Sequence, residues 1–407
     1  MSPSANFKKL PVILLVDNSR AVTGALNALR HATDPLREQF GFAYVLPTGS
    51  TGRSVLEGEG HRVYELPFVE ISRRPSDLLR YLPMLLLNGW RLHRLARREQ
   101  AVLLHLNDFY NLTGYVAHWL SRGRLPVLTH VRFLPQTLPQ PLARPWRWLA
   151  EHVSQQVLCV SEAVRGYFAP DNERVRTVYD PLPAKGEEWP PYEVGDDVVR
   201  PVQLLYLSNY IRGKGQNFAL EAFGVAYARN PNLHLHFVGG EMGMAKNQEF
   251  RAELEAAAQA AGLAAVVCFD GFVADTEAAM KAHDIVLNFS EAESFSLTCL
   301  DALFYGVPLI ATDCGGPSEL FESGQSGLLV PNRDVSAMAA AINELTGSIA
   351  LRRKFAAASR VFVRQKFAPA RTYLLLADCY NRALAGKQVF LAAFAILIAK
   401  CCVSTFA

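Results

Sequence analysis

Short apolar runs alternate with segments of helical periodicity along the whole chain. In the first half these runs fall at 12–16, 42–46, 63–66, 102–106, 127–130 and 157–160. In the second half they fall at 202–207, 233–238, 266–269, 285–289, 309–312 and 327–330. Short, continuously apolar runs are typical of strands that are buried on both faces of a parallel sheet. The strand and helix alternation therefore predicts an α/β fold of doubly wound, Rossmann-like sheets.

The length of the chain indicates two domains. At 407 residues it exceeds what one hydrophobic core usually supports. The segment PLPAKGEEWPPYEVGDDVVRP, residues 181–201, is rich in proline, glycine and acids and separates the two sets of apolar runs. We therefore predict a first domain at 1–182, a linker at 183–201 and a second domain at 202–365.

Composition excludes several classes of protein. Hydrophobic residues make up 50% and charged residues 19%, which is typical of a globular chain and not of a disordered one. The formal net charge of +3 is too small to indicate nucleic-acid binding. The 7 cysteines are odd in number and show no C-x-x-C spacing, which disfavours structural zinc and favours a reducing compartment. The start of the chain has only a short apolar run, which we interpret as the first strand and not as a signal peptide.

Residues 284–320, DIVLNFSEAESFSLTCLDALFYGVPLIATDCGGPSEL, contain several candidate functional residues close together in the sequence. This stretch predicts a buried strand, a polar turn and a helix over about 295–305 that ends at Gly306. The free N–H groups at the start of such a helix favour a phosphate. Glu293, just before the helix, could accept hydrogen bonds from the hydroxyl groups of a sugar, and Asp301 lies two turns further along. The alternative is that Glu293 only caps the helix and Asp301 is solvated.

A second motif opens the second domain, in LLYLSNYIRGKGQNFALEAF, residues 204–223. Lys214 follows the first strand of this domain in a polar loop that leads into a helix. A lysine at the carboxyl end of a parallel strand can neutralise a diphosphate. The alternative is an ordinary surface lysine.

The run SEAESFSLTCLDALFYGVPLIATDCGGPSEL, residues 290–320, resembles the donor-site signature of retaining GT-B glycosyltransferases of family 4. That signature has an acid, seven residues, a second acid, a G-x-P strand and a glycine pair. Here Asp301 replaces the usual glutamate, and Ser296 replaces the usual glycine. The resemblance covers the chain to about Gly386. It implies two Rossmann-like domains that face a central cleft, with a closing helix at 366–386 that returns to the first domain. The tail 387–407 lies outside the pattern.

The resemblance also implies roles for individual residues. Glu293, Lys214 and His130 would be catalytic: Glu293 would orient sugar hydroxyls, Lys214 would hold the diphosphate and His130 would approach the transferring sugar. His130 could instead be a core or capped histidine. Asn209 falls where the family has an arginine, and Arg212 could supply the missing charge. The further expected donor contacts are Asp301 for the ribose, Ser294, Phe295, Ser296 and Leu297 at the helix start, Gly239, Gly240, Phe272 and Val273 near the nucleotide, and Gly24 in the first domain. The glycine turns among them could also be ordinary strand-to-helix turns. Asn107 and Asp108, at the end of the strand at 102–106, are further candidates for the rim of the cleft.

The implied reaction moves a hexosyl unit from a UDP- or GDP-sugar to a glycan or lipid-linked acceptor, with retention and without a metal or cofactor. No Asp-x-Asp motif occurs in the sequence. Synthesis of bacterial-type cell-surface polysaccharide or lipopolysaccharide is the expected setting. The alternatives are a catalytically impaired nucleotide-sugar-binding protein and another GT-B activity, such as a sugar-nucleotide epimerase. A phosphorylase is disfavoured because no pyridoxal-phosphate lysine motif is evident, and a dehydrogenase because no G-x-G-x-x-G follows either first strand.

Residues 73–98 interleave arginine with leucine, methionine and tryptophan. This pattern fits a basic amphipathic element on an anionic membrane, and equally a helix pair with its arginines in water. The first interpretation predicts a cytoplasmic protein in peripheral contact with the inner face of the cell membrane. The apolar run 389–399 in the tail is too short to span a bilayer.

Overall fold

The computed structural model describes residues 10–69, 75–182 and 200–386. Its chain divides into two compact units. Of the described residues, one unit contains those up to Pro181 together with those from Pro369 onward, and the other contains those from Leu182 to Ala368. Most of the predicted linker and all of the predicted tail lie outside the described residues, so neither prediction is addressed by the structure.

The first unit is built on a 7-stranded parallel sheet with the order β3-β2-β1-β4-β5-β6-β7. Its strands are β1 (Val12–Val16), β2 (Gly41–Pro47), β3 (Arg62–Leu66), β4 (Ala101–Leu106), β5 (Val127–Val131), β6 (Gln156–Cys159) and β7 (Val175–Thr177). All five residues of β1 are buried, which explains why this central strand is entirely apolar. The edge strand β7 was not predicted, because only Val175 of its three residues is apolar.

Helices cover both faces of this sheet. They are α1 (Gly24–Thr33), α2 (Gly52–Gly58), α3 (Pro75–Glu99), α4 (Thr113–Leu120), α5 (Gln140–Val153) and α6 (Glu162–Arg165). Residues 75–99 form one continuous helix with Pro83 inside it, so the helix pair considered from the sequence is not present there.

The second unit contains a 6-stranded parallel sheet with the order β10-β9-β8-β11-β12-β13. Its strands are β8 (Val202–Leu207), β9 (Leu233–Val238), β10 (Val267–Asp270), β11 (Ile285–Asn288), β12 (Leu309–Thr312) and β13 (Leu328–Val330). Its helices are α7 (Gln216–Tyr227), α8 (Ala245–Ala260), α9 (Thr276–Lys281), α10 (Leu297–Tyr305), α11 (Val335–Thr346) and α12 (Ile349–Lys366). The predicted α/β class, with two Rossmann-like sheets, is confirmed.

The last described helix, α13 (Pro369–Ala385), packs in the first unit, where the family resemblance would place a closing helix. The buried Tyr380 hydroxyl lies 2.8 Å from Nδ1 of His105 on β4. The Thr372 hydroxyl donates to the Tyr179 carbonyl at 3.0 Å, and Arg176 pairs with Asp378 at 2.5 Å. Buried and half-buried polar contacts therefore accompany the apolar packing of this helix.

Each sheet reverses its strand order beside its first strand, between β1 and β4 in one unit and between β8 and β11 in the other. In open α/β sheets, ligands bind outside the carboxyl ends of the strands at such a reversal. The loops after β8 and β11 are therefore where the fold favours a site. Among the helices of residues 10–69, 75–182 and 200–386, none is both long and apolar enough to cross a membrane.

Candidate donor site

The loops after β8 and β11 bring Lys214 and Glu293 together. Nζ of Lys214 lies 2.7 Å from Oε1 of Glu293, and the Ser290 hydroxyl donates to the same oxygen at 2.9 Å. The Glu293 side chain is 14% exposed and that of Lys214 33%, so both reach the surface while most of each is covered. The two charges singled out in separate motifs thus form one ion pair at the strand reversal of the second unit.

The Lys214 loop is fixed by buried contacts beneath it. The buried Tyr206 hydroxyl donates to the Lys214 carbonyl at 2.5 Å and accepts from the Phe289 N–H at 2.8 Å. Gly215 has a φ of +80°, and a Cβ at this position would stand 1.9 Å from the Phe289 carbonyl oxygen. Only glycine fits such an approach of the two loops.

The close approach of Gly215 to the Phe289 carbonyl predicts an effect on the free energy of unfolding. Gly215→Ala is expected to lower the free energy of unfolding by about 2–4 kcal/mol, because the methyl group must displace backbone and the residue keeps a positive φ. Gly213→Ala is the matched control: Gly213 has a φ of +90°, but a Cβ there would have no atom within 4 Å, so only the backbone cost of about 1 kcal/mol applies. Urea denaturation of both variants checks this, and equal losses would contradict the crowding at Phe289.

The helix after β11 begins later than predicted. It starts at Leu297 and not at Phe295, because Ser296 has φ +78° and ψ 90° and interrupts the helical backbone. The Ser296 hydroxyl accepts from the Cys299 N–H at 3.3 Å and from Nδ2 of Asn288 at 3.1 Å. A positive φ is the backbone that glycine adopts most easily, which explains why the family pattern has glycine where this chain has serine.

Two amides at the start of α10 remain available. Within the described part of the chain, the N–H groups of Leu297 and Thr298 have no hydrogen-bond acceptor. Such groups, together with the helix dipole, favour an anion.

The Phe295 side chain points away from these amides: it is buried and packs edge-on against Phe367, with ring centroids 5.7 Å apart. Ser294 is held at a close crossing, since a Cβ on Gly316 would stand 2.3 Å from the Ser294 carbonyl oxygen.

The glycine turn after β12 positions Glu293. The Gly316 N–H donates to the Glu293 carbonyl at 2.8 Å, and the Glu293 N–H donates to the Cys314 carbonyl at 3.3 Å. The loops after β11 and β12 are thereby joined by backbone hydrogen bonds, which fix where the Glu293 side chain begins.

Asp301, on α10, differs from Glu293 in its surroundings. Its carboxylate has no hydrogen-bond partner among the described residues, and burial raises its pKa from 3.8 to about 7. An unpartnered carboxylate of this kind is an available hydrogen-bonding group for a ligand hydroxyl.

The raised pKa of Asp301 makes stability depend on pH. Between about pH 4 and pH 7 the folded protein holds a proton on Asp301 that the unfolded chain has released, so this contribution to the free energy of unfolding falls as pH rises. Asp301→Asn removes the titration and is expected to stabilise the protein at pH 8 by about 4 kcal/mol more than at pH 4. Thermal unfolding at both pH values, with exposed Glu221→Gln as control, measures this difference. A gain that is the same at both pH values would contradict it.

The loops after β8 and β9 approach closely through Asn209 and Gly239. The Asn209 side-chain oxygen accepts from the Gly240 N–H at 3.1 Å. A Cβ on Gly239 would stand 2.0 Å from the Ser208 carbonyl oxygen, so the protein's own backbone requires this glycine, whether or not a nucleotide binds beside it. Gly240 faces Phe272, whose Cβ would lie 3.3 Å from a Cβ on Gly240.

Phe272 follows β10 and is 76% exposed, while Val273 beside it is half-buried. An aromatic ring that folding leaves in water offers a face on which a base can stack. Its position beside Gly240 places it near the β8 and β9 loop ends.

Arg212 does not join Lys214. Its guanidinium pairs with both oxygens of Glu253 on α8, at 2.5 and 2.6 Å, and lies 4.9 Å from the centroid of the Phe250 ring. The side chain is 63% exposed. In this arrangement an acid far along the sequence holds the guanidinium, and the expectation that Arg212 supplies the charge missing at Asn209 stays a prediction.

In the first unit, a buried polar network lies at the carboxyl ends of β4 and β5. Arg132 donates to Asp180 at 2.6 Å and to the Asn107 side-chain oxygen at 2.5 Å, and its Nη2 lies 3.3 Å from Nδ1 of His130. Asp108 accepts from the Arg132 N–H at 3.4 Å. Sequence reasoning missed Arg132 and Asp180, although a charged residue directly after a buried strand was a usable signal for Arg132.

Burial keeps the histidines of this network neutral. The pKa of His130 is lowered well below its usual value by burial, with smaller contributions from Arg132 and His105. The His130 ring stacks on His105 with centroids 5.5 Å apart, and its buried Nε2 has no hydrogen-bond partner among the described residues. Burial also raises the pKa of Asp108 to about 8. Gly24, also in this unit, is an exposed first residue of α1, next to the N-cap Thr23.

One group of possible metal ligands was found in the described residues, comprising Asp34, Glu59 and His61 of the first unit. Arg37 pairs with Asp34 at 3.1 Å and Arg30 pairs with Glu59. Because both carboxylates already have a cationic partner, this group is poorly suited to bind a cation.

The two units, each with a Rossmann-like sheet and site residues at a strand reversal, define the GT-B class of fold. A solved structure of the same fold, Anabaena Alr3699/HepE in complex with UDP and glucose, superposes with a TM-score of 0.75 at 21% identity, covering 91% of this chain and 99% of that one. Two family models match: Glycosyl transferases group 1 over residues 198–362, and Glycosyltransferase Family 4 over residues 44–183. Both models describe glycosyltransferases, and together they cover 305 of the 407 residues.

Curated relatives match over shorter segments. D-inositol 3-phosphate glycosyltransferase of Paenarthrobacter aurescens (strain TC1) is 29% identical over 196 residues, 47% of each chain. Lipopolysaccharide core biosynthesis glycosyltransferase LpsE of Rhizobium meliloti (strain 1021) is 25% identical over 184 residues, which is 45% of this chain and 50% of the relative. The chain thus spans about half the length of these relatives.

Proposed function

We propose that this protein is a retaining glycosyltransferase that moves a hexosyl unit from a UDP- or GDP-sugar to a hydroxyl group of a glycan or lipid-linked acceptor. The observation that carries the proposal is the Lys214 and Glu293 ion pair beside the free amides of α10. A cation and two N–H groups suit a diphosphate, and a carboxylate beside them suits the hydroxyls of an attached sugar. The solved relative with UDP and glucose supports this class of donor.

The proposed reaction breaks the bond between the anomeric carbon and the diphosphate oxygen, and the leaving diphosphate keeps the electron pair. The acceptor oxygen forms the new bond on the same face, and its proton passes to the leaving phosphate. Negative charge grows on the diphosphate, where Lys214 and the amides of Leu297 and Thr298 stabilise it. These groups can supply the required positive charge without a metal ion.

The donor is held by the second unit in this proposal. Glu293 accepts from sugar hydroxyls, Asp301 binds the ribose and Phe272 stacks on the base. Asn209 and Gly240 border the nucleotide through the joined loops after β8 and β9, and Val273 borders it from the loop after β10. The roles of Gly24 and His130 in the first unit stay predictions from the family resemblance; Nε2 of His130 is buried and has no hydrogen-bond partner among the described residues.

We further propose cell-surface polysaccharide or lipopolysaccharide synthesis as the setting, at the cytoplasmic face of the cell membrane. The similarity to LpsE supports the acceptor class. Free cysteines at 159, 268, 299, 314 and 379 fit a reducing compartment.

The test is incubation with a panel of UDP-, GDP- and ADP-sugars and an extract of lipid-linked acceptors. The expected result is nucleoside diphosphate release that requires the acceptor, with a product whose anomeric configuration by NMR equals that of the donor. An inverted product would contradict retention, and release of an epimerised sugar would instead indicate an epimerase.

A catalytically impaired nucleotide-sugar binder is the second candidate. It is favoured by the small number of cations at the site. The side chain at the family's arginine position is Asn209, which accepts from Gly240, and Arg212 is held by Glu253. Of the cations in this loop, Lys214 is therefore the one that is paired with Glu293 at the site. Saturable donor binding without turnover for any sugar of the panel would support this candidate.

A further inference from the structure

Helix α3 leaves apolar side chains in water along one side. Leu86, Leu87 and Trp90 are 45%, 37% and 46% exposed. The opposite side packs on α4, where a Cβ on Gly89 would stand 2.3 Å from a methyl carbon of Val116. The helix is therefore anchored through one face, and its exposed leucines and tryptophan have no role in that packing.

Arginines flank this apolar stripe. Arg80, Arg91, Arg94 and Arg97 are exposed, and none makes an ion pair with a carboxylate of the described residues. Arg94 lies over the Trp90 ring, 4.9 Å from its centroid. Four cations that lack an acidic partner in the described part of the chain thus share one helix with the apolar stripe.

Helical geometry places these groups on one surface. At 100° per residue, Leu86, Trp90 and Arg97 fall within about 40° of one another, and Arg94 and Leu87 follow within about 60° of Trp90. Arg80 and Arg91 lie at the edge of this surface, about 80° and 100° from Trp90. Over residues 80–99 the only acid in the sequence is Glu99, at the end of the helix. It is engaged by Arg62 at 2.6 Å and by Arg98 at 3.2 Å, so it does not offset the charge of the stripe.

We propose that this face of α3, defined by Arg80, Leu86, Leu87, Trp90, Arg91, Arg94 and Arg97, binds the surface of an anionic lipid bilayer. Leucine and tryptophan enter the headgroup region, while the arginine stems lie along it and their guanidinium groups contact lipid phosphates. The proposal concerns a surface of the first unit and does not depend on the transfer reaction.

Charge complementarity favours a lipid surface over a second copy of the chain. A symmetric dimer through this face would bring its arginines against the same arginines of the other copy, which costs free energy. An anionic bilayer instead offers many phosphates and an apolar layer to one flat surface, which matches a mixed arginine and leucine stripe.

The test is co-sedimentation of the full chain with phosphatidylcholine vesicles that contain either no anionic lipid or about one third phosphatidylglycerol. We expect binding to the anionic vesicles that weakens with salt, and little binding to the neutral ones. Each juxtamembrane arginine contributes about fivefold to partitioning, so Arg91→Gln/Arg94→Gln should weaken binding about 25-fold. Leu86→Ser/Trp90→Ala should also weaken it.

Matched controls lie elsewhere on the surface. Arg229→Gln/Lys246→Gln removes two exposed charges of the second unit, and Leu374→Ser removes a leucine of α13 that is 72% exposed. Both should bind vesicles like the wild type. Equal binding to neutral and anionic vesicles, equal losses in the controls, or a concentration-dependent dimer in light scattering that Trp90→Ala abolishes would each overturn the proposal. Nucleoside diphosphate binding, measured in parallel, should be unchanged in the α3 variants, so failure here is separable from failure of the proposed reaction.

Discussion

Lys214→Ala is expected to lower kcat/KM for sugar transfer about 10²–10³-fold, the cost of removing one group that stabilises charge on a leaving oxygen. Its ammonium lies 2.7 Å from Glu293, and its loop is fixed by Tyr206 beneath it. The variant also leaves the Glu293 carboxylate without its cation beside the proposed diphosphate, which adds repulsion. Steady-state kinetics with the active donor of the panel measures the loss.

Arg212→Ala is the control for Lys214→Ala. Both residues belong to the same loop, but Arg212 is exposed and bound to Glu253. Its removal is expected to change kcat/KM by less than about twofold, in line with the small effect of exposed ion pairs. If Arg212→Ala lost as much activity as Lys214→Ala, the loop would have to rearrange on donor binding, and the geometry described for Lys214 would not be the active one.

Glu293→Gln is expected to separate transfer from nucleotide binding. The amide keeps the shape of the side chain and can still accept from Ser290, but it loses the charge that strengthens hydrogen bonds from sugar hydroxyls. We expect kcat to fall about 10²-fold. Affinity for the nucleoside diphosphate alone should be equal or higher, because Lys214 is no longer neutralised by its partner.

Kinetics and calorimetric titration together check this separation. Glu291→Gln is the control, because Glu291 lies two residues away and pairs with the exposed Arg333. It should leave both quantities within about twofold of the wild type. If Glu293→Gln weakened diphosphate binding as strongly as it slowed transfer, Glu293 would be a structural support of the Lys214 loop and not a sugar contact.

Much of the fold could be predicted because buried parallel strands are continuous apolar runs. The runs at 12–16 and 233–238 match β1 and β9 residue for residue. The strand β7 was missed because Arg176 and Thr177 give it no apolar run. Its pairing with β6 depends on tertiary contacts that the local pattern does not carry.

The site was predictable where chemistry follows strand ends, and less so where it depends on partners distant in sequence. Lys214 and Glu293 both follow a strand, and the sheet brings them together. The capture of Arg212 by Glu253 depends on where α8 packs, which no motif near residue 212 indicates. The positive φ of Ser296 could not be predicted for another reason, since a serine, unlike a glycine, does not indicate a positive φ.

The loops after β8 and β11 are proposed to bind a nucleotide-diphosphate sugar. Calorimetric titration of the wild type and Lys214→Ala with UDP, GDP and their hexose conjugates tests this binding most directly. We expect saturable binding of one of these nucleotides to the wild type, with one site per chain, and binding at least about tenfold weaker in Lys214→Ala. Equal affinity in both proteins, or no binding of any of these nucleotides to the folded wild type, would contradict a donor site at these loops.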